Sequence, residues 1–295
     1  MQRPLRGKDI LAQIKKSIKD YKVDRAVKVN FDLKDVCPQK VYVAWVDIMG
    51  SSEKMSSQLT LCAKDIGRFH AAVFQAYQAS AAGDGVSLHA LVDGAYIVAK
   101  SAEALKRFLG VVMRSLTETF LEASFENRFL VRAAVAWGEI INSEDMIGRL
   151  QASKTEWFKG VASNAVLGAP FANAHAAEHE APPLGVYVHK SAIGAERFSE
   201  NSVWAWWETF DDVSWLSDLS EFICSHFDRV GDDYYVRHLP MSKVSDYKAK
   251  VRSYFRPVKI PRSVYFSADG RSVSSEVAGT LTTGSGGCVF IRKRS

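Results

Sequence analysis

The chain has 295 residues, 47% of them apolar and 24% charged, which suits one large domain or two ordinary ones and argues against wholesale disorder. Its 38 basic and 33 acidic residues leave a net charge of +5, enough to favour an anionic ligand but too little for a nucleic-acid binder, and no aromatic-basic RNA motif accompanies it. No stretch reaches the ~18 uninterrupted apolar residues of a membrane helix, and the basic N-terminus has neither a continuous apolar run nor a small-residue cleavage site. The expectation is a cytoplasmic protein with no nucleic-acid and no membrane partner.

Residues 1–38 read as a polar, Lys-rich lead-in, in which Ile10, Ile14 and Ile18 suggest a short amphipathic helix. Val41–Val46 is a continuous apolar run, the pattern of a strand buried on both faces, and it ends at Asp47-Ile48-Met49-Gly50-Ser51-Ser52. Leu59, Cys62, Ile66, Phe69, Val73 and Tyr77 then recur at helical spacing, stopped by Ala82-Gly83-Asp84-Gly85. Val86–Val92 and Ala95–Ala99 read as strands joined at Asp93-Gly94, a strong hairpin signal. Leu105, Leu109, Val112, Leu116 and Phe120 make the stripe of a second helix, and Phe129–Ile141 is a long strand. The order β-α-β-β-α-β predicts an α+β, ferredoxin-like core. Residues 162–178 read as an Ala-rich helix that Gly168-Ala169-Pro170 must interrupt or restart, and Gly185–His189 as a further strand. Beyond about residue 196 the pattern becomes irregular, with Trp204, Trp206, Trp207 and Trp215 expected to pack, and the tail from 279 is rich in Gly and Ser. The divisions expected are a lead-in (1–38), a core domain (39–195) and a C-terminal extension (196–295). No two of Cys37, Cys62, Cys224 and Cys288 share a metal-ligand spacing, so free thiols are expected.

In a ferredoxin-like sheet the first and third strands are antiparallel neighbours. Asp47, ending the first, and Asp93, at the turn into the third, are therefore expected side by side although 46 residues apart in sequence. Taken singly each suits a turn or a cap. Taken together they repel unless a cation lies between them, and hard carboxylate oxygens suit Mg²⁺ or Mn²⁺.

At these residues the sequence resembles the class III nucleotidyl cyclases, the adenylate/guanylate cyclase family. Val46–Ser52 looks like its D-I-x-G-F-[ST] segment and Leu91–Tyr96 like its G-D hairpin. Val131–Ile140 looks like R-x-G-I-H-x-G-x-V, and Gly168–Glu178 like G-x-x-V-N-x-A-x-R-x-E. These run in the family's order across roughly residues 40–190. The resemblance implies that Asp47 and Asp93, with the Ile48 carbonyl, hold two metal ions. A nucleoside triphosphate would be cyclised by attack of its 3′-hydroxyl on the α-phosphorus, and the site would lie between the two chains of a homodimer. Gly50 and Ser51 fall in the nucleotide-binding segment.

The departures matter as much. The fourth motif's Asn and Arg fall on Ala172 and Ala176, and a shift of one residue brings in Asn173 instead. Arg132, Arg149, Lys154 and Lys159 are candidates for replacement charge. The purine-reading positions hold His89 and Ala165. Trp45, two residues before Asp47, shares its strand face, where an indole would narrow the pocket or stack on a base, unless it is a core Trp. This combination resembles the bacterial Pycsar pyrimidine cyclases. That likeness implies Mn²⁺-favouring production of cyclic UMP, or cyclic CMP, in antiphage defence, with the product read by a separate effector carrying a cyclic-nucleotide-binding domain. The alternatives are an adenylate or guanylate cyclase with a divergent site, a non-catalytic nucleotide-binding module, and an unrelated ferredoxin-like protein such as a palm-type polymerase relative.

Overall fold

The computed structural model describes residues 37–79, 85–142, 166–194, 197–210, 215–232, 241–256, 265–266 and 272–273. The expected helix around Ile10–Ile18, Arg149, Lys154, Lys159, Ala165 and Cys288 lie outside them. The chain forms two compact units, Met1–Thr209 and Phe210–Ser295. The first extends past residue 196 because Trp204, Trp206 and Trp207 are buried within it, Trp206 donating its indole N–H to the Leu184 carbonyl at 2.9 Å.

Strand β1 (Gln39–Ile48) leads through a two-turn helix α1 (Ser51–Ser57) into α2 (Leu59–Ala79). Strands β2 (Val86–Ala90) and β3 (Gly94–Ala99) form the hairpin, and α3 (Ala102–Glu122) returns the chain to β4 (Val131–Asn142). The sheet order β2-β3-β1-β4, with antiparallel neighbours, is the ferredoxin-like arrangement. Beyond it, β5 (Val166–Gly168) pairs with β4, helix α4 (Ala169–Ala177) follows, and β6 (Val186–Val188) joins β4 in parallel. Strand β7 (Val203–Trp204) closes that edge.

Three of the boundaries that differ from the sequence reading have a local cause. Strand β2 stops at Ala90, because Leu91 donates its amide to the Gly94 carbonyl at 2.9 Å and turns the chain early; Leu91 and Val92, apolar as they are, project from this turn. Strand β4 begins at Val131, after a 3₁₀ turn at Phe125–Asn127. Within the Ala-rich segment Val166–Gly168 is strand and the helix described starts at Ala169, with Pro170 in its first turn, where a missing N–H costs nothing.

Strand β1 is buried on both faces, as its unbroken apolar run requires. Val41, Val43 and Trp45 meet Phe171 and Ala174 of α4 on one face. Tyr42 meets Phe198 on the other, the side of α3. Every residue of the predicted α3 stripe is at most 1% exposed, and the Ser101 hydroxyl caps the helix through the Ala104 amide.

In the second unit α5 (Leu216–Asp232) and α6 (Met241–Tyr254) form a helical pair in which Phe227 stacks on Tyr247 and Lys248 pairs with Asp228. A two-residue ladder joins β8 (Tyr265–Phe266) and β9 (Ser272–Val273). Among the described residues no helix is long and apolar enough to cross a membrane, and Cys37, Cys62 and Cys224 are free thiols.

Candidate active site

The pairing register assembles the site. Asp47 lies opposite Gly94 on one side and Arg132 on the other. Asp93 immediately precedes Gly94, and its carbonyl accepts the Ile48 amide at 3.1 Å. The two aspartates therefore sit at one end of adjacent strands, in the arrangement the topology dictates. The chain then turns at Gly50, whose backbone is left-handed (φ 72°), a conformation that disfavours any side chain. This turn directs Ser51 back at Asp93, and its hydroxyl donates to Oδ2 at 2.6 Å.

Directly opposed residues in adjacent strands point to the same face. Arg132 thus shares a face with Asp47, yet its guanidinium engages Glu178, just past the end of α4. Nη2 donates to Oε1 at 3.0 Å and Nε stands 2.9 Å from Oε2. Among the described residues the corner holds three acids, Asp47, Asp93 and Glu178, against the one guanidinium of Arg132. The Asp47 carboxyl is pushed up to about 7. Burial is the main cause; Glu178 and then Asp93 add to it, while Arg132 and the Ile48 amide oppose it. Burial also raises Glu178, against the pull of Arg132. A buried carboxylate short of positive charge and made of hard oxygen donors fits a divalent cation. Asp47, Asp93 and the Ile48 carbonyl are the residues that would hold it. Among the described residues no group of three His, Cys, Asp or Glu side chains converges as a metal centre.

The next row of the same face runs His89, Tyr96, Trp45 across β2, β3 and β1. Trp45 is 3% exposed, with its ring 4.4 Å from Tyr96 and 5.4 Å from His175 of α4. Gly94 makes room for the indole: a Cβ there would fall 2.3 Å from its outer edge. The Trp45 N–H is buried with no acceptor among the described residues. His89 is half-buried, and that burial lowers its pKa. Asn173 is half-buried on α4, while Ala172 and Ala176 are exposed.

Sequence reasoning brought Asp47 and Asp93 together and put Trp45 on the Asp47 face, and the resemblance named Ser51 and His89 by motif position, but the parts played by two residues were missed. Tyr96, whose hydroxyl is raised by burial and by Asp47, follows from the register, since pairing Asp47 with Gly94 places Tyr96 against Trp45. Glu178 closes the fourth motif, but its pairing with Arg132 had no spacing signal and follows from the packing of α4 on β4.

The sequence matches no family model and no curated protein. Solved structures do resemble the fold. The guanylyl cyclase Cya2 shares 10% identity at a TM-score of 0.40, over 52% of this chain and 76% of that one. An adenylate/guanylate cyclase/hydrolase from Silicibacter pomeroyi shares 15% at 0.38, over 52% and 77%. The monomeric guanylyl cyclase domain of the RhoGC fusion protein from the aquatic fungus Blastocladiella emersonii shares 14% at 0.37, over 52% and 82%. Likeness of this degree concerns the course of the chain and leaves chemistry to the site residues.

Proposed function

We propose that the protein is a pyrimidine nucleotide cyclase, converting UTP, in preference to CTP, into the 3′,5′-cyclic monophosphate and pyrophosphate. The observation that carries this reading is the meeting of Asp47 and Asp93 at one end of β1 and β3, with Ser51 bonded to Asp93. Divalent cations held there, Mn²⁺ or Mg²⁺ and two per site, would supply charge neutralisation of the triphosphate and of the departing pyrophosphate. The chain's own residues do the positioning. Ser51 fixes the Asp93 carboxylate by occupying Oδ2, leaving Oδ1 for a ligand. Arg132 offsets part of the charge of Asp47 while tying Glu178 to the sheet. The preference for a small base is supported by the bulk of Trp45 and Tyr96 beside Asp47, and by His89 where purine cyclases carry a lysine.

The same reading makes the protein a cytoplasmic homodimer whose cyclic product serves antiphage defence through a separate effector. Ala172 and Ala176, in place of the polar pair of the fourth motif, favour a second reading, a nucleotide-binding module without turnover. One assay separates them. With Mn²⁺ and UTP, purified protein should release cyclic UMP, and Asp47→Ala or Asp93→Ala should lower product at least about 100-fold while still melting cooperatively. Full activity in either variant sinks the metal assignment; nucleotide binding without product selects the second reading.

A further inference from the structure

Helix α1 connects the site turn to α2 with little apolar anchorage, since its one large apolar residue, Met55, is only half-buried. Of its seven residues only Ser51 and Lys54 are buried. Two turns of helix do not hold themselves in water, so these two buried side chains are its main attachment. Ser51 is tied to Asp93 through its hydroxyl and receives the Cys62 thiol on its carbonyl at 3.6 Å. Lys54 is 7% exposed, and its ammonium bonds the carboxylate of Asp65 on α2, itself 2% exposed. Charges this deeply buried are a costly way to make a contact that apolar side chains make well, and their best-attested return is a fixed register. The proposed chemistry uses neither residue.

We infer that the Lys54–Asp65 ion pair is a positioning device for the site: it locks α1 to α2 in one register and thereby sets Ser51, which in turn holds the Asp93 carboxylate. The pair acts through Ser51 and touches no substrate. The backbone allows the coupling to be read, because the Lys54 amide bonds the Gly50 carbonyl, Ile48 bonds the Asp93 carbonyl, and Leu91 bonds Gly94. Loosening α1 should therefore loosen the turn at 91–94 as well, without disturbing α3.

Hydrogen exchange followed by mass spectrometry tests this on the full chain. The variant Lys54→Met with Asp65→Leu removes both charges and leaves none buried alone. Its amides over 51–57 should exchange at least tenfold faster than the parent's, those over 91–94 should accelerate with them, and those of α3 should stay within twofold. Lys54→Arg, and the exchanged pair Lys54→Asp with Asp65→Lys, should keep the parent rates. Should the apolar pair not fold, Lys54→Gln with Asp65→Asn, which keeps the approximate shapes and removes both charges, is read in the same way. Parent rates in both segments overturn the inference. So does acceleration of 51–57 alone, which would make the pair a structural contact with no bearing on Asp93. The inference rests on the proposed function only in a second arm, Mn²⁺ titration, where the double variant should bind at least fivefold more weakly than the parent and equal affinity would count against it. A parent that binds no Mn²⁺ would overturn the proposed function and leave the exchange rates to decide the positioning claim.

Discussion

Replacing Asp47 by Asn should stabilise the metal-free protein, and only at neutral and alkaline pH. An unfolded Asp titrates near 3.8, whereas Asp47 in the fold titrates near 7. Between those values the folded chain keeps a proton that the unfolded chain has released, so this group's contribution to stability falls as pH rises through that window and is flat above it. The gap corresponds to about 4 kcal/mol at ~1.4 kcal/mol per pH unit. Asn presents no charge, so it should be about 2–4 kcal/mol more stable than the parent at pH 8 and within about 1 kcal/mol of it at pH 4. Urea unfolding of both proteins at the two pH values, with EDTA present, measures the difference directly. Adding Mn²⁺ at pH 8 should then raise the midpoint of the parent and leave that of the variant where it is. A variant less stable than the parent at pH 8, or a gap of equal size at both pH values, would refute the crowding of charge at this corner.

The other perturbations probe its neighbours. Arg132→Met leaves Glu178 buried without its cation and should cost about 2–4 kcal/mol at pH 8, with a smaller loss at pH 5 because raised Glu178 and Asp47 take up protons; chemical melts at both pH values read it. Gly94→Ala drives a methyl against the Trp45 ring and the Val46 carbonyl and should cost about 1–3 kcal/mol, visible as a lower Tm and a changed tryptophan spectrum. Trp45→Ala should cost about 3–5 kcal/mol for the cavity it leaves and relax base preference in nucleotide competition; unchanged preference would return Trp45 to a purely structural role.

The aspartate pair was legible because it needs only strand order: an unbroken apolar run ending in Asp47 and an Asp-Gly turn before the third strand suffice to bring them together. Trp45 was legible as a residue on the Asp47 face, since alternation along a strand is fixed, but its burial was not, because that depends on α4 lying over it. Glu178 and Arg132 meet only through the packing of α4 on β4, which leaves no periodic trace. The turn at Leu91 was misread as strand because apolar composition there signals β structure, while one backbone hydrogen bond to Gly94 decides otherwise. The helices of the second unit were not foreseen: Leu216, Leu219, Ile223 and Phe227 do follow a helical stripe, but it was obscured by the cluster of tryptophans before it.

The central claim is tested most directly by incubating the purified protein with Mn²⁺ and each of ATP, GTP, UTP and CTP separately and resolving the products by mass. Cyclic UMP as the dominant product, absent from the Asp93→Ala variant, is the expected result. A cyclic purine would keep the aspartate site and overturn the role given to Trp45 and His89, and no cyclic product from any of the four would contradict the enzyme reading itself.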